Sequence, residues 1–159
     1  MRNAIGGAWL YSMVMVFTVF LVAFVSITLN YANAYKMQNQ MMSAIEANDG
    51  FNSSSLEQMQ GVISTYSYRS TGNCESGYTD GDFIGVLNGN KGNKNVDGKY
   101  NYCISRIKSS SAGSNNYTKY YYNVTVFFGF DLPLFGNLYT FRVNGETNGI
   151  MYPYKDFFD

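Results

Sequence analysis

The stretch "GGAWLYSMVMVFTVFLVAFVSITLN", from Gly6 to Asn30, contains no charged residue, and Lys36 is the first charged residue after it. Residues 8–29 are mostly apolar and span about 33 Å as a helix, which is enough to cross the hydrocarbon core of a bilayer. The stretch is apolar on every face. Because only a helix satisfies its own backbone in lipid, it predicts a helix despite many β-branched and aromatic residues.

The helix is predicted to continue beyond this stretch. Residues 30–48, "NYANAYKMQNQMMSAIEAN", contain no Gly or Pro and are rich in good helix formers. Their apolar residues recur at helical spacing, which makes this half amphipathic: Ala34, Met37, Met41, Ala44 and Ile45. Gly50 is a suitable C-terminal stop. We therefore expect one helix of about 45 residues within a first unit, residues 1–49.

The remaining residues, 50–159, are predicted to form a β-rich domain that opens with a short helix. In "NSSSLEQMQGVIS", Ser54 followed by Glu57 fits a capping box, which predicts about two helical turns. Their apolar face consists of Leu56, Met59 and Ile63.

Strands are predicted from Tyr66 onward. Tyr66 and Tyr68 begin one, residues 76–98 are loop-like around a short strand "DFIGVL", and residues 100–108 alternate. The clearest strand is "YTKYYYNVTVFFGFDL", residues 117–132. Period two places six of its residues on one face: Tyr120, Tyr122, Val124, Val126, Phe128 and Phe130.

Two further segments complete the predicted sheet. After a turn at residues 133–137, "LYTFRVNGE" pairs back with Tyr139, Phe141 and Val143 inward, and "GIMYPY" is a short last strand. Consecutive strands favour an antiparallel meander. The predicted fold is therefore α+β: a long helix, a short helix, and a small antiparallel sheet of four to six strands.

The amino-acid composition narrows the classes of function that this chain is expected to have. Net charge is zero, which gives no reason to expect nucleic acid as a partner. The chain has no histidine, so it lacks the commonest general base and transition-metal ligand. Its two cysteines, Cys74 and Cys103, fit one disulfide in an oxidising compartment, with two free buried thiols as the alternative.

Two further groups of residues are candidates for metal binding and for glycosylation. Several oxygen-bearing residues could line a calcium site, but the EF-hand spacing fails at Ile84, and polar turns are the expected interpretation: Asp80, Asp82, Asn88, Asn90, Asn93 and Asp97. Three Asn-x-Ser/Thr sequons are glycosylation candidates: Asn52, Asn116 and Asn123. No serine has a histidine partner and no G-x-S-x-G occurs. We predict no catalytic residue, metal or cofactor.

The apolar stretch allows three interpretations. As a secretory signal it offers Arg2 and the small-x-small site at residues 32–34, but it is about twice as long as a usual signal core. As a single-pass anchor it has a sufficient length, and a disulfide would place the C-terminal domain outside the cytoplasm. As an assembly helix it first spans the membrane and then packs against the same helix of other copies. Helix–helix contacts replace the lipid contacts, so little apolar surface is exposed to water at either stage.

A family resemblance favours the third interpretation. The apolar helix running into "YANAYKMQNQMMSAIEAN" resembles the N-terminus of type IV pilin-like proteins, most closely the Tad/TadE-like pilins or pseudopilins of Gram-positive bacteria. "VTVFFGFDLPLFGNLYTFRVNGETNGI" is similar to the end of those chains, where a strand, a Leu-Pro-x-x-Gly turn, a second strand and Gly-Glu-Thr close the domain. The likeness covers about 45 residues at the start and 30 at the end.

The chain departs from the family at one position. Many type IV pilins are cut after a glycine and carry glutamate fifth in the mature chain, where it pairs with a neighbour's N-terminal amine. Here the fifth residue is Ser12 after a cut at Gly7, Tyr11 after a cut at Gly6, and Ile5 without a cut. The resemblance therefore gives no basis for predicting this processing or this contact.

The resemblance implies a structural subunit rather than an enzyme. On this resemblance, we expect the chain to polymerise with copies of itself into an extracellular, pilus-like filament and to reside in the cytoplasmic membrane before assembly. We expect it to need the pilus assembly machinery but no cofactor or nucleic acid. The alternative is a membrane-anchored pseudopilin, assembly factor or adhesion module outside the bulk filament. We expect these residues to pack between copies: Ala8, Trp9, Leu10, Ser12, Met13, Val16, Phe17, Phe20, Leu21, Phe24, Val25, Ile27 and Leu29.

Overall fold

The structure is a computed structural model that describes residues 2–66, 70–74, 81–110, 118–132, 136–151, 153 and 155–159. Side chains of residues 2–6, 110, 130–132 and 136–139 lie outside this description. The described chain contains a long N-terminal helix, a short helix and an antiparallel sheet domain, which confirms the predicted α+β class.

Helix α1 runs without a break from Arg2–Ala47, 46 residues, as predicted. It ends because Asp49 adopts a left-handed conformation, with φ of 51°. The amide of Gly50 then donates to the carbonyl of Ile45 over 3.0 Å, and the amide of Asp49 to Glu46 over 3.4 Å. This is the hydrogen-bond pattern of a Schellman motif, so the reversal occurs one residue before the predicted stop.

Helix α2, Ser53–Thr65, has 13 residues and is longer than the two predicted turns. The predicted capping box was wrong: Asn52 is the N-cap, its side chain accepts from the amides of Ser54 and Ser55, and the Ser55 hydroxyl accepts from the amide of Asn52. Asn caps a helix as well as Ser does, and Ser55 stands at the third helical position.

The C-terminal end of α2 corrects a second prediction. Tyr66 is the C-cap of α2 rather than the start of a strand, and Tyr68 lies outside the described residues. The predicted apolar face of α2 is confirmed, since Met59 is fully buried and both Leu56 and Ile63 pack against the same core.

The described strands form two sheets. A two-stranded sheet pairs β1, Gly72–Cys74, with β4, Gly98–Tyr100. A five-stranded antiparallel sheet contains β2, Asp82–Leu87; β3, Asn90–Lys94; β5, Tyr102–Ser110; β6, Thr118–Leu132; and β7, Gly136–Glu146. Its strand order is β3-β2-β5-β6-β7. The described residues thus hold seven strands, more than the four to six predicted.

Three strand boundaries differ from the prediction. Strand β3 was expected to be loop, but Asn88 and Gly89 both have positive φ, 50° and 79°, and link β2 to β3 in a tight hairpin. Gly136 and Asn137, expected in a turn, already pair with β6. The expected last strand is a single antiparallel bridge between Ile150 and Tyr120, with Tyr152 and Tyr154 outside the described residues.

The main core lies between one face of the five-stranded sheet and the two helices. The alternation predicted for β6 is confirmed for Tyr122, Val124, Val126 and Phe128, which are buried, while Tyr120 is half-buried. Val143 is buried as predicted. The sheet's other face carries a smaller cluster, which the two-stranded sheet covers.

The smaller cluster contains the predicted disulfide. Cys74 and Cys103 are bonded, with their Cα atoms 5.9 Å apart, and pack with Phe83 and Phe127. Gly72 permits this close approach, because a Cβ on it would lie 2.1 Å from the Phe127 ring. The bond therefore ties the two-stranded sheet to the centre of the main sheet.

Candidate functional site: an exposed apolar helix on a fixed base

The N-terminal half of α1 is exposed on all sides. All thirteen residues predicted to pack between copies, from Ala8 to Leu29, are exposed. Between Trp9 and Leu29 there are 16 large apolar side chains on the exposed surface, from 38% at Ile27 to 71% at Trp9 and Phe20. We call residues 8–29 the apolar segment.

Water is an unfavourable environment for the apolar segment. Burying one large apolar side chain contributes about 1.5–3 kcal/mol, so leaving 16 of them half-exposed forgoes on the order of 20 kcal/mol. This exceeds the roughly 5–15 kcal/mol that stabilises a whole domain. The segment therefore requires an apolar environment, either lipid or other protein.

The polar groups of the apolar segment are compatible with such an environment. The Thr18 hydroxyl donates to the carbonyl of Val14, and the Thr28 hydroxyl to the carbonyl of Phe24, each over 2.9 Å. Both hydroxyls are thus satisfied inside the helix, which lowers the cost of placing them in lipid.

By length and composition, one described helix is able to cross a membrane. It is the Gly7–Ala47 part of α1, whose most apolar window has a mean hydropathy of 2.5 and is not buried in the domain. Membrane insertion is therefore compatible with the structure.

The C-terminal half of α1 is fixed to the domain by its predicted face. Ala34, Met37, Met41, Ala44 and Ile45 are all buried. The amphipathic prediction for residues 30–48 is confirmed, and it divides one helix into an exposed half and a docked half.

A buried polar residue, Gln38, lies within this docked face. Its Nε2 donates to the carbonyl of Val124 over 3.0 Å, while its Oε1 has no partner among the described residues. Near the end of α1, the Glu46 carboxylate accepts from the amide of Asn148 over 2.7 Å. These two contacts give the helix a defined position along the sheet. The burial of Gln38 was not predicted from the sequence, because a polar glutamine between two apolar methionines is expected to face solvent.

The exposed and docked halves meet at a group of aromatic residues. The rings of Tyr31 and Phe128 lie 5.8 Å apart, edge to face, and Phe128 stacks on Phe141 at 5.4 Å. Ala34 packs with Phe128 and Val143. Phe141 was predicted to be inward but is 46% exposed, because it lies on an edge strand where α1 departs from the sheet. The side chains of Tyr139 and Phe130 are not described.

The titratable residues form a second cluster at the opposite end of the sheet. The Arg106 guanidinium contacts the carboxylates of Asp156, at 3.3 Å, and Asp159, at 2.7 Å, and donates to the carbonyl of Phe158. The Tyr122 hydroxyl donates to Asp156. Burial, and then the bond to Asp156, raise the pKa of Tyr122. These contacts hold the C-terminal residues against the sheet, and no local sequence pattern predicts them.

Among the candidate calcium ligands, Asp82 contacts other side chains in the structure. Asp82 contacts Lys94 at 2.8 Å and accepts from Asn95, and these contacts lower its pKa. Asp80 lies outside the described residues. In the part of the chain that the structure describes, no group of three or more His, Cys, Asp or Glu residues is arranged to hold a metal.

The sequons fall in three settings. Asn52 is buried as the cap of α2, and its Nδ2 donates to the carbonyl of Asn48, so a glycan there requires the cap to open. Asn123 is half-buried in the interior strand β6. Asn116 lies outside the described residues. Glycosylation stays a prediction at these positions.

Comparison with known proteins adds no family. No protein-family model, curated protein or solved structure matches this chain. The pilin resemblance therefore rests on the residues quoted for it and stays a prediction.

Proposed function

We propose that this chain is a pilin-like structural subunit that polymerises through the apolar segment into an extracellular filament. The observation that carries the proposal is the division of one unbroken helix into an exposed apolar half and a docked half. A filament uses both halves, because the exposed halves bundle in its core while the docked halves hold the β-domains on its outside.

The physical argument is an exchange of environments. In the membrane, lipid covers the apolar segment; in the filament, copies of the same segment cover it. The segment is exposed around its whole circumference, which suits a helix surrounded by several neighbours in a bundle core. A homopolymer of this kind needs neither a cofactor nor a catalytic residue.

The base of the helix supports the same role. A filament under tension loads the junction between each core helix and its domain. Here the helix continues unbroken into the domain and is held by five buried apolar residues together with the Gln38 and Glu46 hydrogen bonds. The β-domain is thus carried rigidly on the helix rather than on a linker.

Cysteine cross-linking on producing cells tests the proposal. The variant Phe17→Cys/Val19→Cys places two thiols about 200° apart around the helix, so each contacts a different neighbour in a bundle. The native cysteines are paired with each other and do not interfere. Mild oxidation is expected to give a ladder of oligomers in surface material.

The single variant Phe17→Cys is the matched control and is expected to stop at dimers. Exclusively monomers from the double variant would contradict the filament and favour the membrane-anchored alternative, an assembly factor or adhesion module outside the bulk filament.

A further inference from the structure

Aromatic residues mark both ends of the apolar segment. Trp9 and Tyr11 lie at one end, and Tyr31 and Tyr35 lie at the other. Trp9 and Tyr31 are 22 residues apart, about 33 Å along the helix, which matches the hydrocarbon thickness of a bilayer. Trp and Tyr favour the two membrane interfaces, and the exposed Lys36 follows as an interfacial cation. This pattern places Tyr31 at the surface of the bilayer.

The β-domain begins immediately beyond this surface. Ala34, three residues after Tyr31, is fully buried in the domain. No flexible linker separates the domain from the spanning segment, since α1 is continuous. The helix therefore holds the neighbouring part of the β-domain at the bilayer surface, at the level of Tyr31.

The part beside Tyr31 is the end of the β6–β7 hairpin. Ala34 packs with Phe128, whereas Gln38 bonds to Val124, so β6 runs toward the apolar segment as α1 runs away from it. Beyond Phe128, β6 continues to Leu132, which pairs with Gly136 of β7. Four strand residues extend about 13 Å, so the hairpin end reaches past Tyr31 on the side of the apolar segment.

The described side chains of this hairpin beside Tyr31 are apolar. Phe128 of β6 lies opposite Phe141 of β7 and packs with Ala34 of the helix. Phe141 is 46% exposed and joins the exposed surface of α1 through Phe128 and Tyr31.

We propose that the β6–β7 hairpin contacts the interfacial region of the bilayer through Phe141, beside α1, before assembly. The occupant of this surface is lipid, because the helix itself holds the hairpin end against the bilayer whether or not a second copy is present. The inference rests on the membrane-inserted stage of the proposed function. The membrane contact is thus made by two elements, a spanning helix and an interfacial hairpin.

Site-specific fluorescence in vesicles tests the inference. The full-length variants Phe141→Cys, Phe20→Cys and Val96→Cys each add a single free thiol beside the native disulfide. Each is labelled with an environment-sensitive dye and reconstituted at low density into vesicles of phosphatidylcholine and phosphatidylglycerol. Phe20 reports insertion of the helix.

Val96 is the matched control. It is 44% exposed, close to the value for Phe141, but it lies at the far end of the sheet. The preceding residue, Asn95, donates its amide to the carbonyl of Phe83 in β2. Asp82, next to Phe83, lies opposite Arg106 of β5, which in turn lies opposite Tyr122 of β6. Six β6 residues, about 20 Å, separate Tyr122 from Phe128. Circular dichroism checks that each labelled variant keeps its fold.

The expected result is blue-shifted emission at positions 20 and 141, with the position 141 label quenched several-fold more than the position 96 label by a headgroup-level lipid quencher. A lipid quencher carried on the acyl chain reports position 20, which lies midway between Trp9 and Tyr31. If the acyl-chain quencher reaches position 20 while position 141 behaves like position 96, the hairpin contact is overturned and the proposed function survives. If neither a blue shift nor acyl-chain quenching is seen at position 20, insertion itself fails and both proposals fall. A shift at position 141 that appears only at high protein density indicates a second copy and overturns the lipid assignment.

Discussion

Gln38 of α1 donates a hydrogen bond to the backbone carbonyl of Val124, 3.0 Å away, and so joins the helix to the sheet. The residue opposite Val124 in strand β7 is Gly145. A Cβ on Gly145 would lie 2.4 Å from the Gln38 Nε2 and 2.9 Å from the Met42 Sδ. The absence of a side chain at Gly145 therefore lets α1 approach the sheet.

Gly145→Ala is expected to lower the free energy of unfolding by about 1–3 kcal/mol, the range for overpacking a closed interior. Gln38 is fully buried and bonded to Val124, so it moves aside only by giving up that hydrogen bond. Urea unfolding of the detergent-solubilised full chain measures the change. Gly61→Ala is the control, because nothing lies within 4 Å of a Cβ there and alanine is favoured over glycine within a helix by about 0.5–1 kcal/mol.

The same contact predicts a partial rescue. In a Gln38→Ala background the side chain that obstructs the new methyl group is gone, so Gly145→Ala should cost less than it does alone. A double-mutant cycle gives this coupling directly. An unchanged cost in the two backgrounds would show that the helix is not seated through this contact.

Two buried tyrosines predict a loss of stability at alkaline pH. Burial raises the pKa of Tyr102, and burial together with Asp156 raises the pKa of Tyr122, both from an ordinary value of 10.0. A group whose folded pKa is raised contributes full stability below its unfolded pKa and loses it as pH rises beyond that value. Unfolding free energy should therefore fall above about pH 10. Absorbance at 295 nm should show these two phenolates appearing only with unfolding.

Phenylalanine variants separate the two tyrosines. The Tyr102 hydroxyl has no hydrogen-bond partner among the described residues, so Tyr102→Phe should be neutral or stabilising. Tyr122→Phe removes a donor from the buried Asp156 and should cost about 1–3 kcal/mol at pH 7. Equal losses in thermal melts of the two variants would contradict this assignment.

The disulfide is expected to matter through the loop that it closes. Cys74 and Cys103 are 29 residues apart, for which the chain-entropy relation gives about 3–4 kcal/mol. Cys74→Ser/Cys103→Ser should lose stability of this order in urea unfolding. Reductant should destabilise the native chain equally and leave the double variant unaffected; a reductant effect on the double variant would point to a cause other than this bond.

Assembly and membrane insertion should respond differently to one substitution in the apolar segment. Ser12 stands four residues after Ala8, a small-xxx-small spacing that permits close helix approach. Ser12→Leu keeps the segment apolar, so membrane fractionation should be unchanged while filament yield falls. Val14→Leu, at a position already occupied by a branched side chain, is the control. Normal filament yield from Ser12→Leu would exclude close packing at this position.

Much of the fold could be predicted because strong periodic patterns specify it. The apolar stretch, the helical spacing from Ala34 to Ile45 and the alternation along β6 each give one clear structure. Predictions failed where short polar segments decide local structure. The Asn88–Gly89 turn was passed over within a glycine-rich region, and Asn52 displaced Ser54 as helix cap because both residue types cap well.

The location of the candidate site could be predicted from the sequence, but the tertiary contacts around it could not. Composition alone identifies residues 8–29 as a surface that avoids water, and spacing identifies the docked face. The contacts of Gln38 with Val124 and of Arg106 with Asp156 join residues far apart in sequence, so no local pattern announces them. The alternation along β7 predicts which face of the sheet Phe141 occupies. It does not predict how far α1 covers that face, so the exposure of Phe141 was not predicted.

Electron microscopy of material sheared from cells that produce this chain tests the central claim most directly. The account predicts helical filaments whose reconstructed core contains residues 8–29 packed against the same residues of neighbouring copies, with the β-domains outside. Chain that is recovered only as membrane-bound monomers released by detergent, with no filament at the cell surface, would contradict it.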